Sequence, residues 1–173
     1  MNISKAELSD IRELNLLVNA AYRGEESKKG WTTEAEILDG IRIDEDALSI
    51  LLAKPHTTIL KLSEANGRML GTVCLEVKSQ DLYLGMFAVS PLAQGKGIGK
   101  ALLKAAEVHA MENNCLRIVI SVISTRFELI NWYSRHGYVS TGASIAFDDI
   151  EGRFGDPKVA AIRLMEMEKL LSL

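Results

Sequence analysis

The stretch Val89–Glu107, VSPLAQGKGIGKALLKAAE, constrains this chain more than any other: Gly95, Gly97 and Gly99 fall at alternate positions and run without a break into a helical pattern. Glycine lowers helix propensity and loses more backbone entropy on folding than other residues. Three of them at a helix start therefore point to backbone that has to be bare. A strand, then Ser-Pro, then this loop and a helix would set exposed N–H groups at a helix N-terminus, with the macrodipole behind them and Lys96 and Lys100 beside them. That geometry suits a pyrophosphate. Two familiar phosphate cradles do not match. A P-loop needs GxxxxGK[ST], whereas Gln94 stands five residues before Gly99 and Ala101 follows Lys100; a dinucleotide fingerprint needs GxGxxG, and Gly99 falls one residue early. A glycine-rich strand-to-helix turn without a ligand is the structural alternative.

The surrounding pattern is that of an α/β chain. Asp10–Tyr22 carries Ile11, Leu14, Leu17, Val18 and Ala21 at helical spacing. After a polar loop ending at Trp31, Thr33 and Glu36 read as a capping box that opens a second helical region, interrupted near Gly40. TTILKLS and MLGTVCLEVK flank EANGR, whose Asn66-Gly67 pair is a strong hairpin signal, so the two segments are expected to pair antiparallel. DLYLGMFAV is a third strand leading into the glycine stretch. A helix then runs from Gly99 to Asn113, LRIVISVI reads as a strand covered on both faces, and RFELINWYSRHGY reads as a helix closed by Gly137. The tail KVAAIRLMEMEKLL fits either a strand or a helix.

At 173 residues, 47% apolar and 25% charged, the chain can bury one core and is expected to form a single domain over 1–173. Its net charge of −3, with basic and acidic residues interspersed, argues against a nucleic-acid partner. The N-terminus has no apolar leader and no stretch reaches the roughly 18 apolar residues of a membrane span, so a cytoplasmic protein with no membrane partner is expected. Cys74 and Cys115 lie apart in apolar segments without a CxxC pair or a neighbouring His, which points to core packing and to no metal.

Two motifs carry a resemblance to a known family. Gln94-Gly95-Lys96-Gly97-Ile98-Gly99 is similar to the Q/R-x-x-G-x-G/A signature of the GNAT superfamily of N-acetyltransferases, and the preceding VSP is similar to the V-x-P that ends that family's fourth strand. Downstream, Tyr133, Gly137 and Tyr138 resemble the family's Y-x-x-x-G-F/Y at the end of a helix, in the right order. The likeness covers Thr57–Val139. It implies a GNAT-like α/β fold: a mixed central sheet, mostly antiparallel with a splayed parallel strand pair, flanked by helices. It also implies acetyl-CoA as co-substrate and an amine acceptor, with acetyl transferred directly and no covalent enzyme intermediate. Phe87, Ala88 and Val89 would pair with the amide-rich pantetheine arm and offer an N–H to the thioester oxygen. Gln94, Gly95, Lys96, Gly97, Ile98, Gly99 and Lys100 would take the pyrophosphate. Tyr133 would donate to the leaving thiolate. Arg126 stands where many relatives carry a coenzyme-contacting Asn, and is assigned to the coenzyme through a phosphate or the pantetheine.

The fourth strand lacks the carboxylate that some relatives use as a base, and Glu76, one strand earlier, is the candidate in its place, against a reading as a solvated strand glutamate. The acceptor is expected between the loops Arg23–Thr32 and Ala143–Pro157. Their acids Glu25, Glu26, Asp148, Asp149 and Glu151 would attract a cationic amine, Trp31, Phe147 and Phe154 would form apolar walls, and Arg23 or Arg153 would bind a substrate carboxylate. The expected acceptor is the primary amine of a small molecule or amino acid. A protein N-terminal or lysine acetyltransferase and a non-catalytic acyl-CoA-binding module are the alternatives, and a homodimer is left open.

Overall fold

The structure is a computed structural model and describes residues 1–172. In chain order it comprises β1 (Asn2–Lys5), α1 (Ile11–Tyr22), α2 (Gly24–Ser27), β2 (Leu38–Asp39), α3 (Glu45–Ala53), β3 (Thr57–Ser63), β4 (Met69–Lys78), β5 (Asp81–Val89), α4 (Ile98–Glu112), β6 (Arg117–Ile123), α5 (Phe127–Arg135), β7 (Val139–Ala146), β8 (Asp156–Pro157) and β9 (Arg163–Leu170). Seven strands form one sheet in the order β1-β3-β4-β5-β6-β9-β7, and β2 pairs with β8 apart from it. Only β5 and β6 run parallel; the other pairs are antiparallel. This is the mixed, helix-flanked sheet expected from the sequence.

Each face of the sheet is covered by a helix with a matching apolar stripe. Leu102, Leu103, Ala106 and Ala110 of α4 pack with Leu60, Leu62, Val73, Leu75 and Ile118 on one side. Leu14, Leu17 and Val18 of α1 and Leu48 of α3 meet Ile59, Met69 and Cys74 on the other. The start of α4 lies very close to β4, because Gly71 has no side chain: a Cβ there would approach Ile98 Cγ2 to 2.8 Å and the Ala88 carbonyl to 3.2 Å. No helix among the described residues is long and apolar enough to cross a membrane.

Two local expectations are corrected or resolved, and one strand is new. Thr33 and Glu36 do not open a helix. Thr33 Oγ1 instead accepts from the Ala35 N–H at 3.0 Å in a turn, Gly40 adopts φ 77°, and the helix begins only at Glu45, where Asp44 Oδ1 caps the Ala47 N–H at 2.7 Å. The segment preceding α3 is held open by burial of Glu34 between two arginines, described below, which a helix starting at Thr33 would have to break. The short strand β1, NISK, has no apolar run to announce it and pairs along the sheet edge with β3. The ambiguous tail is the strand β9, inserted between β6 and β7.

The parallel pair is bolted at its base. Arg117 at the start of β6 donates from Nε and Nη2 to the two oxygens of Asp81 at 2.8 and 2.7 Å, and from Nη1 to Glu168 of β9 at 2.5 Å. The Arg117 hydrogen bonds hold the Asp81 carboxyl below its ordinary value of 3.8, against a smaller opposing effect of burial. A carboxyl whose folded-state pKa is depressed stabilises the fold above its unfolded-state value and loses that contribution as pH falls through the folded one. Stability is therefore expected to decline as pH drops below about 4. Asp81→Asn should lower the melting temperature at neutral pH and flatten this acid limb, and thermal melts between about pH 3 and pH 6 read both effects.

Candidate active site

Above that bolt the two parallel strands part. β5 and β6 are in register only at Asp81/Arg117, Leu82/Ile118 and Tyr83/Val119. Beyond Tyr83, β5 continues to pair with β4 and β6 with β9, so two unpaired strand edges face one another across a V. Free edges of this kind accept an extended, amide-bearing ligand as an added strand.

A bulge adjusts the β5 edge within the V. Cys74 opposes Gly85 and Thr72 opposes Ala88, so Val73 faces both Met86 and Phe87. Met86 lies at φ 46°, in the left-handed region that a non-glycine residue adopts only when its surroundings impose it. The extra residue switches the strand's faces. Leu82 and Leu84 join the α4 side of the core, whereas Met86 and Ala88 join the α1 side. Phe87 is thereby turned towards α4 and α5, where its ring lies 5.8 Å from Trp132 and 6.3 Å from Tyr133.

The glycine loop closes one end of the V. Gly95 and Gly97 sit at φ 80° and 78°, and a Cβ on either would meet nothing within 4 Å, so the space above the loop is open. Gly97 is the N-cap of α4 and contributes no side-chain cap, which leaves the first N–H groups of a 15-residue helix without a side-chain acceptor. The third glycine serves packing: a Cβ on Gly99 would reach Trp132 at 3.3 Å and Phe87 at 3.5 Å. The open backbone, the uncapped helix end and the facing strand edges together fit a phosphate-bearing ligand with an extended amide arm.

Tyr133 of α5 lies at the crossing of these elements. It is buried, lines the cleft, and packs edge-on against Trp132 and Tyr138 at 5.2 and 5.4 Å. Its hydroxyl has no hydrogen-bond partner among the described residues. Burial, reinforced by Tyr22 and Tyr138, raises the phenol well above its ordinary value of 10.0, so it is a protonated donor at neutral pH.

The opposite wall comes from the end of α1 and the segment after it. Glu34 is shared by two guanidiniums: Arg23 Nε donates to one oxygen at 3.1 Å and Arg126 Nη1 to the other at 3.2 Å, with all three residues at 6–7% exposure. Such a triad carries one net positive charge in a poorly solvated setting. Tyr22 lines the same cleft as Tyr133. Burial raises the Tyr22 phenol; Arg42, Arg126 and a Phe87 backbone hydrogen bond oppose that shift, while Glu34 adds to it. The Arg42 guanidinium lies 5.1 Å from the centre of the Tyr22 ring. Tyr22, Glu34 and Arg42 are cleft residues that the sequence reading missed, since no local pattern marks their side chains as cleft residues.

The cleft encloses about 760 Å³ and brings most of the sequence-derived candidates together. Phe87, Ala88, Val89, Gln94, Gly95, Gly97, Ile98, Gly99, Lys100, Arg126, Tyr133 and Glu76 all line it. Several do so differently from what their residue types suggested. Lys96 is exposed outside the lining. The Ile98 side chain belongs to the core, so only its backbone faces the loop. The Gln94 amide is engaged within the protein, accepting from the Trp31 N–H at 2.8 Å and donating to the Val89 carbonyl at 3.4 Å. Arg126 is held by Glu34 and by Thr32 Oγ1 at 2.6 Å, so its guanidinium is already engaged within the protein.

Glu76 pairs with Lys54 at 2.6 Å and with Lys78 at 3.3 Å. Burial alone would raise its carboxyl, but the two lysines outweigh it and hold the value below the ordinary 4.5, which makes Glu76 a weak base. Of the loop residues, Arg23, Trp31, Phe147, Glu151, Arg153 and Phe154 line the cleft, whereas Glu25 and Glu26 pair outside it with Lys28 and Lys29. Cys74 also lines it, and burial pushes its thiol up to about 11, which leaves it inert.

Comparison with known proteins bears on this arrangement. The model of the acetyltransferase (GNAT) family matches residues 12–138. A spermine/spermidine N(1)-acetyltransferase of Bacillus subtilis (strain 168) is 35% identical over 66 residues, 38% of this chain and 43% of the relative. A mycothiol acetyltransferase of Jonesia denitrificans is 24% identical over 121 residues, 66% of this chain and 38% of the relative. The matches thus span less than half the length of these relatives. Among solved structures, the ribosomal-protein-S18-alanine N-acetyltransferase of Escherichia coli superposes with a TM-score of 0.72 at 15% identity, over 99% of this chain and 94% of the other. A structure described as a phosphinothricin N-acetyltransferase gives 0.69 at 14% identity over 99% of each chain. At these identities the likeness is one of fold.

Proposed function

The chain belongs to the GNAT acetyltransferase family, and from that premise we propose that residues 1–173 act as a single N-acetyltransferase domain that transfers acetyl from acetyl-CoA directly to a primary amine. The observation that carries the reading is the V between β5 and β6, closed at one end by the glycine loop and crossed by Tyr133. Acetyl-CoA supplies a thioester carbonyl carbon; the new C–N bond forms there as the C–S bond breaks.

The chain's own groups divide the remaining work. Backbone N–H groups of Gly95 to Lys100 and the N-terminus of α4 take the pyrophosphate, with the Lys100 ammonium beside them. The free edge of Phe87–Val89 pairs with the pantetheine amides and directs one N–H to the thioester oxygen as charge develops on it. Tyr133 donates a hydrogen bond to the departing sulfur, and the proton that the attacking nitrogen sheds balances the thiolate. Of the three carboxylates lining the cleft, Glu34 and Glu76 are each held by two cations and Glu151 is exposed to solvent, so none of them is assigned as the base. The amine therefore reacts in its neutral form, losing its proton to water before attack.

Thiol release from acetyl-CoA across a panel of amines, amino acids and peptides tests the proposal. Amine-dependent release together with the acetylated amine as product is expected. Coenzyme binding without release from any acceptor would favour an acyl-CoA-binding module instead.

A further inference from the structure

We infer that the acceptor is an amine that also carries a carboxylate, and that Arg42 is the residue that takes this anion. The inference rests on the acetyl-transfer reading above and names the substrate class of that cleft. Five cations and three carboxylates line the cleft: Arg23, Arg42, Lys100, Arg126 and Arg153 against Glu34, Glu76 and Glu151. Nearly all are committed. Arg23 and Arg126 share Glu34, and Arg23 Nη1 also donates to the carbonyls of Ile41 and Phe154 at 2.6 Å each. Arg153 pairs with Asp148, Glu76 pairs with Lys54 and Lys78, and Lys100 stands in the first turn of α4, beside the proposed pyrophosphate site. Among the described residues the Arg42 guanidinium has neither a carboxylate nor a carbonyl partner.

Arg42 is nevertheless held in place. Asn19 of α1 accepts from the Arg42 N–H at 2.7 Å and donates to the Ile43 carbonyl at 2.9 Å, and Asn15 donates to the same carbonyl at 2.9 Å. The guanidinium lies over the Tyr22 ring, 5.1 Å from its centre, and no acceptor among the described residues occupies its N–H fork, which is open to a planar anion. Arg42, Tyr22 and Tyr133 line the same cleft, so this cation borders the space in which an acceptor would meet the coenzyme. A guanidinium grips a carboxylate through two parallel hydrogen bonds.

The same charges suit the nucleophile. The net positive charge of the Arg23–Glu34–Arg126 cluster, with Arg42 added, favours the neutral form of an amine bound beside them, which a site without a strong base requires. A polyamine would meet these cations with only the exposed Glu151 at the rim to receive it. The cleft thus selects against the substrates named for the Bacillus relative.

The test pairs binding with turnover. CoA-loaded protein is titrated calorimetrically with N-acetylated amino acids of several side-chain types and with the matching N-acetyl amino amides. The free amino acids, their amides and spermidine are then compared as acceptors. The acid of at least one pair is expected to bind about 10- to 100-fold tighter than its amide, with a similar ratio in kcat/KM, the range a charge-assisted pair supplies. Arg42→Gln should bring that ratio to about one, chiefly through KM, and Arg42→Lys should restore part of it; thermal melts show whether each variant is folded. Amides binding as well as acids, no acid binding at all, preference for spermidine, or an acid preference that survives in Arg42→Gln would each overturn the inference. Failure of the transfer reading looks different: it shows as absent acetyl-CoA binding, or as no thiol release with any acceptor.

Discussion

Tyr133→Phe is expected to lower kcat by about 10- to 1,000-fold, within the range for loss of one positioned acid, while leaving the protein folded and its acetyl-CoA affinity near that of the parent. The substitution removes only the hydroxyl, and that hydroxyl makes no hydrogen bond with any described residue. The ring contacts with Phe87, Trp132 and Tyr138 remain. Stability should therefore hold, and a thermal melt of each protein checks it. The leaving thiol has a pKa near about 8.5, so a hydrogen bond to the developing thiolate helps without being indispensable. The defect should shrink with donors whose leaving thiol is more acidic. A folded variant that turns over at the parental rate, in an assay limited by chemistry, would return Tyr133 to the role of a packing residue.

Gly97→Val is expected to weaken acetyl-CoA binding by about 100-fold, the equivalent of one or two charge-assisted hydrogen bonds. Position 97 has φ 78° and open space above it, so the added side chain would project over the loop and displace no core atom. Holding a β-branched residue at that φ also costs about 1–3 kcal/mol of strain. Gly142→Val separates the two effects. Gly142 adopts φ 84°, also has nothing within 4 Å, and lies on β7 away from the cleft lining. It should lower the melting temperature in the same way without changing coenzyme affinity. Calorimetric titration of both variants decides; equal affinity in parent and folded Gly97→Val would refute the cradle.

The fold was legible wherever a local pattern sufficed. Asn66-Gly67 announced the β3–β4 hairpin, whose turn closes from the Gly67 N–H to the Glu64 carbonyl at 3.0 Å. The glycine loop and Tyr133 were legible because backbone exposure and the spacing to Gly137 leave a mark in the chain itself. The bulge in β5 left none. Leu82, Leu84, Met86 and Ala88 alternate as though they shared one face, and only pairing with β4 divides them between the two sides of the core.

The acceptor wall was hidden for a related reason. Glu34 carries no local signal, and only contacts from Arg23, eleven residues before it, and Arg126, 92 residues after it, show it buried. Those long-range bonds also explain why the capping-box pattern at Thr33 and Glu36 opens no helix. Glu25 and Glu26, prominent in sequence, neutralise neighbouring lysines at the surface, whereas Arg42, inconspicuous in sequence, lines the cleft without a carboxylate partner among the described residues.

Backbone hydrogen exchange of the protein with and without saturating acetyl-CoA reads the proposed coenzyme site itself, because that site is built largely from main-chain N–H groups. The V between β5 and β6 and the start of α4 should take up the coenzyme as a bound strand and a capped helix end. Slowed exchange is predicted in two separate segments, Phe87–Val89 and Gly95–Lys100, and to a lesser degree around Tyr133. Saturation that leaves both segments unchanged, or that protects only residues remote from them, would contradict the account.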